Sequence, residues 1–243
     1  MYYLSRSIRA LFRKEQNLPT LEGEAFVFGA APNPAIPKEL LSKASIVTAN
    51  ASQIFLERYG VTKPHITCMR TDMAEGRDVD VMKLESLRDR QTGLLVLIAG
   101  RKDPKCEAQL ALLAKVNYRF EEVQVLHRVD RCVIHNRLLD SRKPFLLKRF
   151  DPSMGLEAIL LCLAMGARRV ATAGISFRSD GCSFSDLDYK RIHVEADLEI
   201  FRRICRLGLP VYAVDEDLAF DSGLQRWPPS RGGQVTQTCI QHT

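Results

Sequence analysis

Several classes of protein are built from residues or patterns that this chain lacks. Aromatic residues make up 7% of its 243 residues, and only one of them is tryptophan. No apolar run approaches the roughly 20 residues that a transmembrane helix needs. Residues 1–21 contain no continuous apolar stretch, so we expect no signal peptide. None of the seven cysteines is spaced as Cys-x-x-Cys, which argues against a zinc knuckle and predicts reduced thiols in a cytoplasmic protein.

Acidic residues are fewer than basic ones, since the chain has 29 aspartates and glutamates and 35 lysines and arginines. The net charge of +6 and the pI near 9.0 suit an anionic partner, such as nucleic acid, anionic lipid or a phosphorylated small molecule. No nucleic-acid motif with interleaved aromatic residues is present, so we expect no nucleic-acid partner. Residues 1–20 could form a basic amphipathic helix, which would either dock on the inner face of an anionic membrane or pack on its own domain.

Short apolar segments alternate with amphipathic ones along most of the chain. This alternation, at a spacing of roughly 15 to 25 residues, predicts an α/β protein with a Rossmann-like, mostly parallel sheet flanked by helices. The predicted strands are residues 25–29, 45–49, 65–69, 94–99, 123–126, 169–173 and a last strand within 209–214. The predicted helices are residues 37–43, 52–59, 79–90, 106–116, 154–165 and 193–207.

One Rossmann-like domain is assigned to residues 21–220, with a small lid at about 176–192 over the carboxyl ends of the strands. A basic segment at 1–20 precedes it, and a polar, loosely held tail at 221–243 follows it. Ligands of such sheets bind beyond the carboxyl ends of the strands. The loops that follow the strands are therefore the candidate site.

The segment Asp151-Pro-Ser-Met-Gly155 precedes the helix predicted at 154–165, which is apolar on nearly every face and should be buried. Ser153 is suited to cap this helix, and Gly155 would let a ligand approach the backbone. The amides of Ser153, Met154 and Gly155 at the helix start favour an anion such as a nucleotide phosphate. The same pattern is also typical of an ordinary capped helix without a ligand.

A long polar loop follows the predicted strand at 169–173 and begins with Gly174-Ile-Ser-Phe-Arg178. Loops of this length at strand ends are often binding elements or lids. Within it, Asp186 and Asp188 form an Asp-x-Asp pair that would either hold a divalent metal or remain two solvated carboxylates. We favour the second interpretation and assign no metal ligand.

His193 is the histidine best placed for chemistry. It begins the helix predicted at 193–207, and Asp197 follows four residues later on the same face. A carboxylate there could orient the imidazole and raise its basicity, as a general base near pH 7 requires. The alternative is a surface histidine at a helix start. His135, beside Asn136, is a secondary candidate.

Asn50 stands at the end of the second predicted strand. Its side-chain amide could bond to a base or sugar edge through paired donor and acceptor groups. The alternative is a turn-forming asparagine, which is common at such places.

Two blocks of this sequence resemble a known family. The first contains Gly29-Ala-Ala-Pro-Asn33 and Thr48-Ala-Asn50, and the second spans residues 152–214 with Ala164-Met-Gly166, Gly174-Ile-Ser-Phe177 and His193. Together they resemble the bacterial sialyltransferases of glycosyltransferase family forty-two, over about residues 24–217. Part of the pattern is also similar to pterin pyrophosphokinase-like proteins.

The resemblance implies a CMP-sugar donor, a glycan or glycolipid acceptor, an inverting transfer, and neither a cofactor nor an essential metal. It implies that His193, oriented by Asp197, removes the proton of the acceptor hydroxyl. The helix start at 153–155 would face the nucleotide, and Asn50 would contact the donor. The residues assigned to substrate or nucleotide are Gly29, Ala30, Asn33, Asn50, Ser153, Met154, Gly155, Gly174, Ser176, Phe177 and Arg178.

The chain departs from the family's pattern at several positions, and His193 and Asp197 are one residue closer together than the family's pair. Ala30 stands where the family has a donor-binding asparagine, and Ser176 and Arg178 replace its aspartate and tyrosine. Arg178 would neutralise the departing phosphate in place of the tyrosine. The alternative is that these substitutions indicate a degenerate nucleotide-binding protein, which binds a nucleotide but catalyses no transfer.

A different enzyme class, diphosphate transfer to a pterin-like alcohol, is the main alternative. It would use ATP and Mg²⁺, with Asp72 or the pair Asp186 and Asp188 as metal ligands. The sequence does not decide whether the protein forms an oligomer. The leading hypothesis requires that the amides beginning at Ser153 and the imidazole of His193 meet in one place.

Overall fold

The structure is a computed structural model, and it describes residues 18–32, 34, 36–71, 76–99, 105–140, 151–178 and 193–228. Most of the predicted N-terminal helix, most of the predicted lid and the end of the predicted tail lie outside these residues. Four candidate ligands also lie outside them, namely Asn33, Asp72, Asp186 and Asp188. No helix in the described part of the chain is long and apolar enough to span a membrane.

Eight strands of the described residues form one parallel sheet in the order β5-β4-β3-β2-β1-β6-β7-β8. This arrangement confirms the predicted Rossmann-like α/β fold. The strands are β1 (Glu24–Phe28), β2 (Ser45–Ala49), β3 (Ile66–Arg70), β4 (Gln91–Ile98), β5 (Arg119–Leu126), β6 (Arg169–Ala173), β7 (Val211–Ala213) and β8 (Gln225–Arg226).

Helices lie between the strands, as the alternating pattern predicts. A 3₁₀ turn at Glu57–Tyr59 continues the second of them. The helices are α1 (Lys38–Lys43), α2 (Gln53–Leu56), α3 (Asp78–Glu85), α4 (Cys106–Lys115), α5 (Arg128–Leu138), α6 (Met154–Ala164), α7 (Val194–Arg206) and α8 (Glu216–Ser222).

The side chains of each strand alternate between the two faces of the sheet, and an apolar core covers each face. In β1, Ala25 and Val27 pack on the side of α6, while Phe26 and Phe28 pack on the opposite side with α1. Helix α6 is buried along most of its length and contacts β1, β2, β3 and β6. The prediction of a central apolar helix is therefore confirmed.

The strand order reverses at β1, with β2 to β5 on one side and β6 to β8 on the other. In open parallel sheets the crevice at such a reversal, beyond the carboxyl ends of the strands, is where ligands bind. Asp151, just before α6, contacts Arg70 at the carboxyl end of β3 and His193 just before α7. Both helices therefore begin at this edge of the sheet.

Helix α5 lies in a stretch where the sequence pattern indicated no element. Its polar residues Asp130, Arg131 and His135 are themselves buried. Because polar residues take positions that face the interior, the apolar periodicity by which a helix is recognised is weak here.

The described part of the segment predicted as a tail, residues 221–228, includes secondary structure. Helix α8 extends to Ser222, and β8 adds an edge strand by pairing with β7. The Trp227 ring packs against Tyr212, with 5.7 Å between the ring centroids. A seven-residue helix and a two-residue strand are too short to produce a clear periodic signal.

The five cysteines in the described ranges form no disulfide bond with one another, namely Cys68, Cys106, Cys132, Cys162 and Cys205. Burial raises the pKa of Cys68 well above its ordinary value and raises the pKa of Cys162 to about 12. Both thiols are therefore protonated at neutral pH and pack as small apolar groups.

Two glycines bring the chain into close contact beyond the carboxyl ends of β1 and β6. The Gly29 N–H donates to the carbonyl of Ala173 at 2.8 Å, and the Ala31 N–H donates to that of Gly174 at 2.7 Å. Gly174 has a φ of 70°, and a Cβ on it would lie 2.7 Å from the Gly29 carbonyl oxygen. This position requires glycine for its backbone conformation and for the available space.

We predict that Gly174→Ala is more destabilising than Gly60→Ala. Gly60 has a φ of 83° and no atom within 4 Å of an added Cβ, so its substitution adds backbone strain alone, about 1–2 kcal/mol. Gly174→Ala adds steric overlap with Gly29, for a total loss of roughly 3 kcal/mol or more. Urea unfolding of both variants measures the difference. Equal losses of unfolding free energy in the two variants would show that the loops separate to accept the added Cβ without destabilising the protein.

Candidate active site

Ser153 caps helix α6 and joins it to helix α7. Its Oγ accepts the N–H of Leu156 at 3.4 Å, as expected for a capping serine. Its own N–H donates to Oδ1 of Asp197 at 2.8 Å. A carboxylate therefore already occupies the first of the amides expected to face an anion. The amides of Met154 and Gly155, which follow, have no acceptor within the helix.

Gly155 is placed against the end of β6. A Cβ at this position would lie 2.9 Å from Cδ1 of Ile175. The Ile175 side chain therefore fills the space that we expected a ligand to use. The glycine lets α6 approach the loop after β6, and this close packing fixes the helix start at the reversal of strand order.

The ring of His193 is oriented by main chain from the start of α6. Its Nδ1 lies 2.7 Å from the carbonyl oxygen of Asp151. Because a carbonyl only accepts hydrogen bonds, Nδ1 carries the proton, and the neutral ring has its lone pair on Nε2. This is the tautomer that a base acting through Nε2 requires.

Asp197 lies near His193, but the bond that orients Nδ1 comes from Asp151. His193 precedes the first residue of α7, with a φ of −105° and a ψ of 2°, and its carbonyl accepts the Asp197 N–H at 2.9 Å. From the first turn of α7, the Asp197 carboxylate reaches the Ser153 amide. The imidazole and the start of α6 are therefore adjacent, as the leading hypothesis requires.

The Asp151 carboxylate is held by two guanidinium groups. Nη2 of Arg70 lies 2.9 Å from its Oδ2, and Nη2 of Arg131 lies 2.8 Å from its Oδ1. Burial alone would raise the pKa of Asp151, but the two arginines outweigh burial and lower the pKa below its ordinary value. Asp151 is therefore ionised and fixed from both sides.

A buried group of charges lies directly behind this segment. Nε of Arg131 donates to Oε1 of Glu157 at 2.7 Å, and Nη2 donates to the same oxygen. Nε2 of His135 lies 3.0 Å from Oε2 of Glu157. The three residues are only 3–5% exposed. Burial alone would raise the pKa of Glu157, but the charges and hydrogen bonds of Arg131 and His135 hold it well below its ordinary value.

The sequence pattern did not indicate Arg70, Arg131 or Glu157 as part of the site, and it indicated His135 only as a secondary candidate. One signal was available, because Glu157 is the single charge within the otherwise apolar stretch 154–165. A charge inside a buried helix requires a partner. The partner itself could not be located, since it lies 26 residues earlier in the chain.

The loops after β1, β2 and β6 lie at the same edge of the sheet. The Gly174 N–H donates to Oδ2 of Asp215, just after β7, at 2.7 Å. Asn50 follows β2 with a φ of 54°, and its N–H donates to the Cys68 carbonyl at 2.8 Å. This is the turn conformation named as the alternative. Ala30 follows Gly29 in the loop after β1.

Arg178 lies on the outer surface, where it contacts helix α8. Its guanidinium binds Asp217 at 2.7 Å and Asp221 at 2.6 Å, and it lies 5.3 Å from the ring centroid of Phe220. A role in neutralising a departing phosphate would require Arg178 to leave these partners.

Ser176 and Phe177 have structural contacts in the same loop. The Ser176 Oγ accepts the N–H of Arg178 at 3.2 Å. The rings of Phe177 and Phe201 meet edge to face at 5.9 Å, which holds the beginning of the loop against α7.

Three solved structures show the likeness of this fold to known proteins. CstII from Campylobacter jejuni, a sialyltransferase in complex with the substrate analogue CMP-3FNeuAc, has a TM-score of 0.51 and 11% identity over 84% of this chain and 86% of that one. The monofunctional alpha-2,3-sialyltransferase Cst-I from the same organism has a TM-score of 0.52 and 12% identity over 87% and 84%. CstII with a trisaccharide acceptor and CMP has a TM-score of 0.51 and 11% identity over 86% and 88%.

Neither a protein-family model nor a curated protein sequence matches the chain. At 11–12% identity, the structural likeness establishes the shared fold.

We predict that Glu157→Gln destabilises the protein by about 3–5 kcal/mol at pH 7, because it removes a charged partner from the buried Arg131. The pKa values of Asp151 and Glu157 are lowered on folding from ordinary values of 3.8 and 4.5. Their contribution to stability is therefore complete above these values and is lost as the pH falls below them. Denaturant unfolding at several pH values should show a weaker loss in acid for Glu157→Gln than for the unmodified protein.

Glu85→Gln is the control for this prediction. Glu85 pairs with Arg88 at 2.7 Å, but both side chains are about half exposed, at 54% and 51%. Its loss should cost about 1 kcal/mol or less. A Glu157→Gln variant no less stable than Glu85→Gln would contradict the importance of the buried pair.

Proposed function

We propose that this protein is a glycosyltransferase that moves a sugar from a CMP-sugar donor to a hydroxyl of a glycan or glycolipid. The observation that carries the proposal is the position of His193 beside the start of α6, at the edge where the strand order reverses. The fold it shares with sialyltransferases, solved with CMP, a CMP-sugar analogue or a trisaccharide acceptor, supports this assignment.

In the proposed reaction, Nε2 of His193 accepts the proton of the acceptor hydroxyl while the oxygen attacks the anomeric carbon of the donor sugar. The bond from that carbon to the phosphate oxygen breaks, and its electron pair leaves with CMP. Proton removal by a positioned histidine contributes roughly 10²- to 10⁴-fold to the rate of such a step. Asp197 contributes by stabilising the start of α6 through the Ser153 amide.

Backbone amides are better suited than cations to hold the donor phosphate in this site. The two guanidinium groups behind the helix start already face two carboxylates, which balance their charge. The positive end of the α6 dipole favours an anion near the amides of Met154 and Gly155. In this proposal these amides face the phosphate, and Asn50 contacts the donor from the end of β2.

We predict that His193→Ala lowers kcat for sugar transfer by about 10²-fold or more and changes CMP affinity little. The physical reason is that the imidazole acts on the acceptor proton, whereas the amides of α6 bind the nucleotide. Transfer assays with a panel of CMP-activated sugars, together with calorimetry for CMP, measure the two quantities separately.

His65→Ala is the matched control for this prediction. The His65 ring also bonds to main chain, accepting the Ile46 N–H at Nδ1 over 3.0 Å, but it lies before β3 at the opposite edge of the sheet. It should leave transfer unchanged. Undiminished transfer by the His193 variant would rule out its role as the base.

A thermal-shift screen of CMP, CDP, UDP, GDP and ATP, each with and without Mg²⁺, distinguishes the competing functions. A ligand that binds only the native state raises the melting temperature by mass action. We expect CMP to raise it without Mg²⁺. A shift that requires both ATP and Mg²⁺ would favour diphosphate transfer to a pterin-like alcohol. CMP binding without turnover of any sugar donor would favour a nucleotide-binding protein without catalysis.

A further inference from the structure

We propose that Arg70 is a positioning residue for His193 and acts through Asp151. The inference depends on the proposed role of His193 as the base. Arg70 ends β3 and forms an ion pair with Asp151. Its effect on the reaction would pass through the orientation of one peptide carbonyl.

Asp151 connects the two groups because it bonds through both its side chain and its main chain. Its carboxylate binds Arg70 and Arg131, and its carbonyl oxygen accepts the Nδ1 proton of His193. The orientation of that carbonyl determines whether the proton stays on Nδ1. A rotation of the Asp151 backbone would weaken this bond and let the ring populate the other tautomer, which carries its proton on Nε2.

The two arginines that hold Asp151 have different surroundings. The Arg131 side chain is 6% exposed and also pairs with Glu157, so it is part of the buried core. The Arg70 side chain is 24% exposed, and its ion pair with Asp151 connects β3 to the segment before α6. Removing Arg70 leaves Oδ1 of Asp151 bound to Arg131 and frees Oδ2. The segment then keeps its place in the fold but loses the ion pair that connects it to β3.

Arg70→Gln tests the inference, with Arg90→Gln as the matched control. Arg90 pairs with Glu57, and their side chains are 27% and 32% exposed, against 24% and 30% for Arg70 and Asp151. Arg90 lies just before β4, at the opposite edge of the sheet. The two substitutions therefore remove comparable ion pairs, of which only one lies beside His193.

The first readout is the tautomer of His193, measured by the ¹⁵N chemical shifts of its ring nitrogens. The chain has five histidines, and the His193 signal is the one absent from His193→Ala. We expect the Nδ1–H form in the unmodified protein and in Arg90→Gln. We expect a mixture of both tautomers in Arg70→Gln.

The second readout is transfer from a CMP-sugar. Arg70→Gln should lower kcat roughly 10- to 100-fold with little change in donor KM, because the base is misplaced while the nucleotide amides remain. Arg70→Lys, which restores a positive charge, should recover part of the loss. Arg90→Gln should match the unmodified protein.

The possible outcomes separate the two proposals. A folded Arg70→Gln protein that keeps the Nδ1–H tautomer and its kcat would overturn the positioning role. Equal losses of kcat in the Arg70 and Arg90 variants would also overturn it, since they would reflect stability alone. If the unmodified protein transfers no sugar, the proposed function fails. In that case the tautomer comparison still decides whether Arg70 orients His193.

Discussion

The negative charge of Glu157, buried within the first turn of an apolar helix, is the constraint on which the site depends. An ionised carboxylate at this depth is stable only with a charged and hydrogen-bonded partner. Arg131 supplies the charge from α5, and the same guanidinium continues to Asp151. Neutralising a charge in the core thereby fixes the segment that precedes α6. The Asp151 carbonyl in turn orients His193. The buried ion pair of Glu157 therefore influences the orientation of the candidate base.

Two backbone donors around the site are already satisfied by carboxylates of the protein itself. Asp197 accepts the Ser153 amide at the start of α6, and Asp215 accepts the Gly174 amide after β6. Both interactions stabilise loops at strand ends, where backbone groups would otherwise require water or a ligand. A substrate phosphate near α6 would be repelled by the negative charge of Asp197. Its binding therefore depends on the helix amides that remain and on the dipole of the whole helix.

The sequence was sufficient for features that depend on local pattern. The strands at 45–49 and 169–173 were predicted with their observed bounds, and the buried helix was predicted to within one residue. The proximity of His193 to the helix start was a requirement of the leading hypothesis, and the structure shows it. The partners of His193 could not be predicted from the pattern, because Arg70 and Asp151 are 81 positions apart, and periodicity contains no information on such distant contacts. Helix α5 was missed since its buried polar residues weaken the apolar pattern.

The position of β1 at the centre of the sheet has a consequence for biosynthesis. One neighbour, β2, follows β1 closely along the chain, whereas the other is β6, so that Glu24 pairs with Arg169. While the ribosome makes the intervening residues, β1 has one unpaired edge and its two apolar faces are incompletely covered. Pairings between distant segments form slowly, and open strand edges are prone to aggregation. The nascent chain therefore depends on the arrival of β6 to close the middle of its sheet, and a chaperone that shields this edge would favour correct folding.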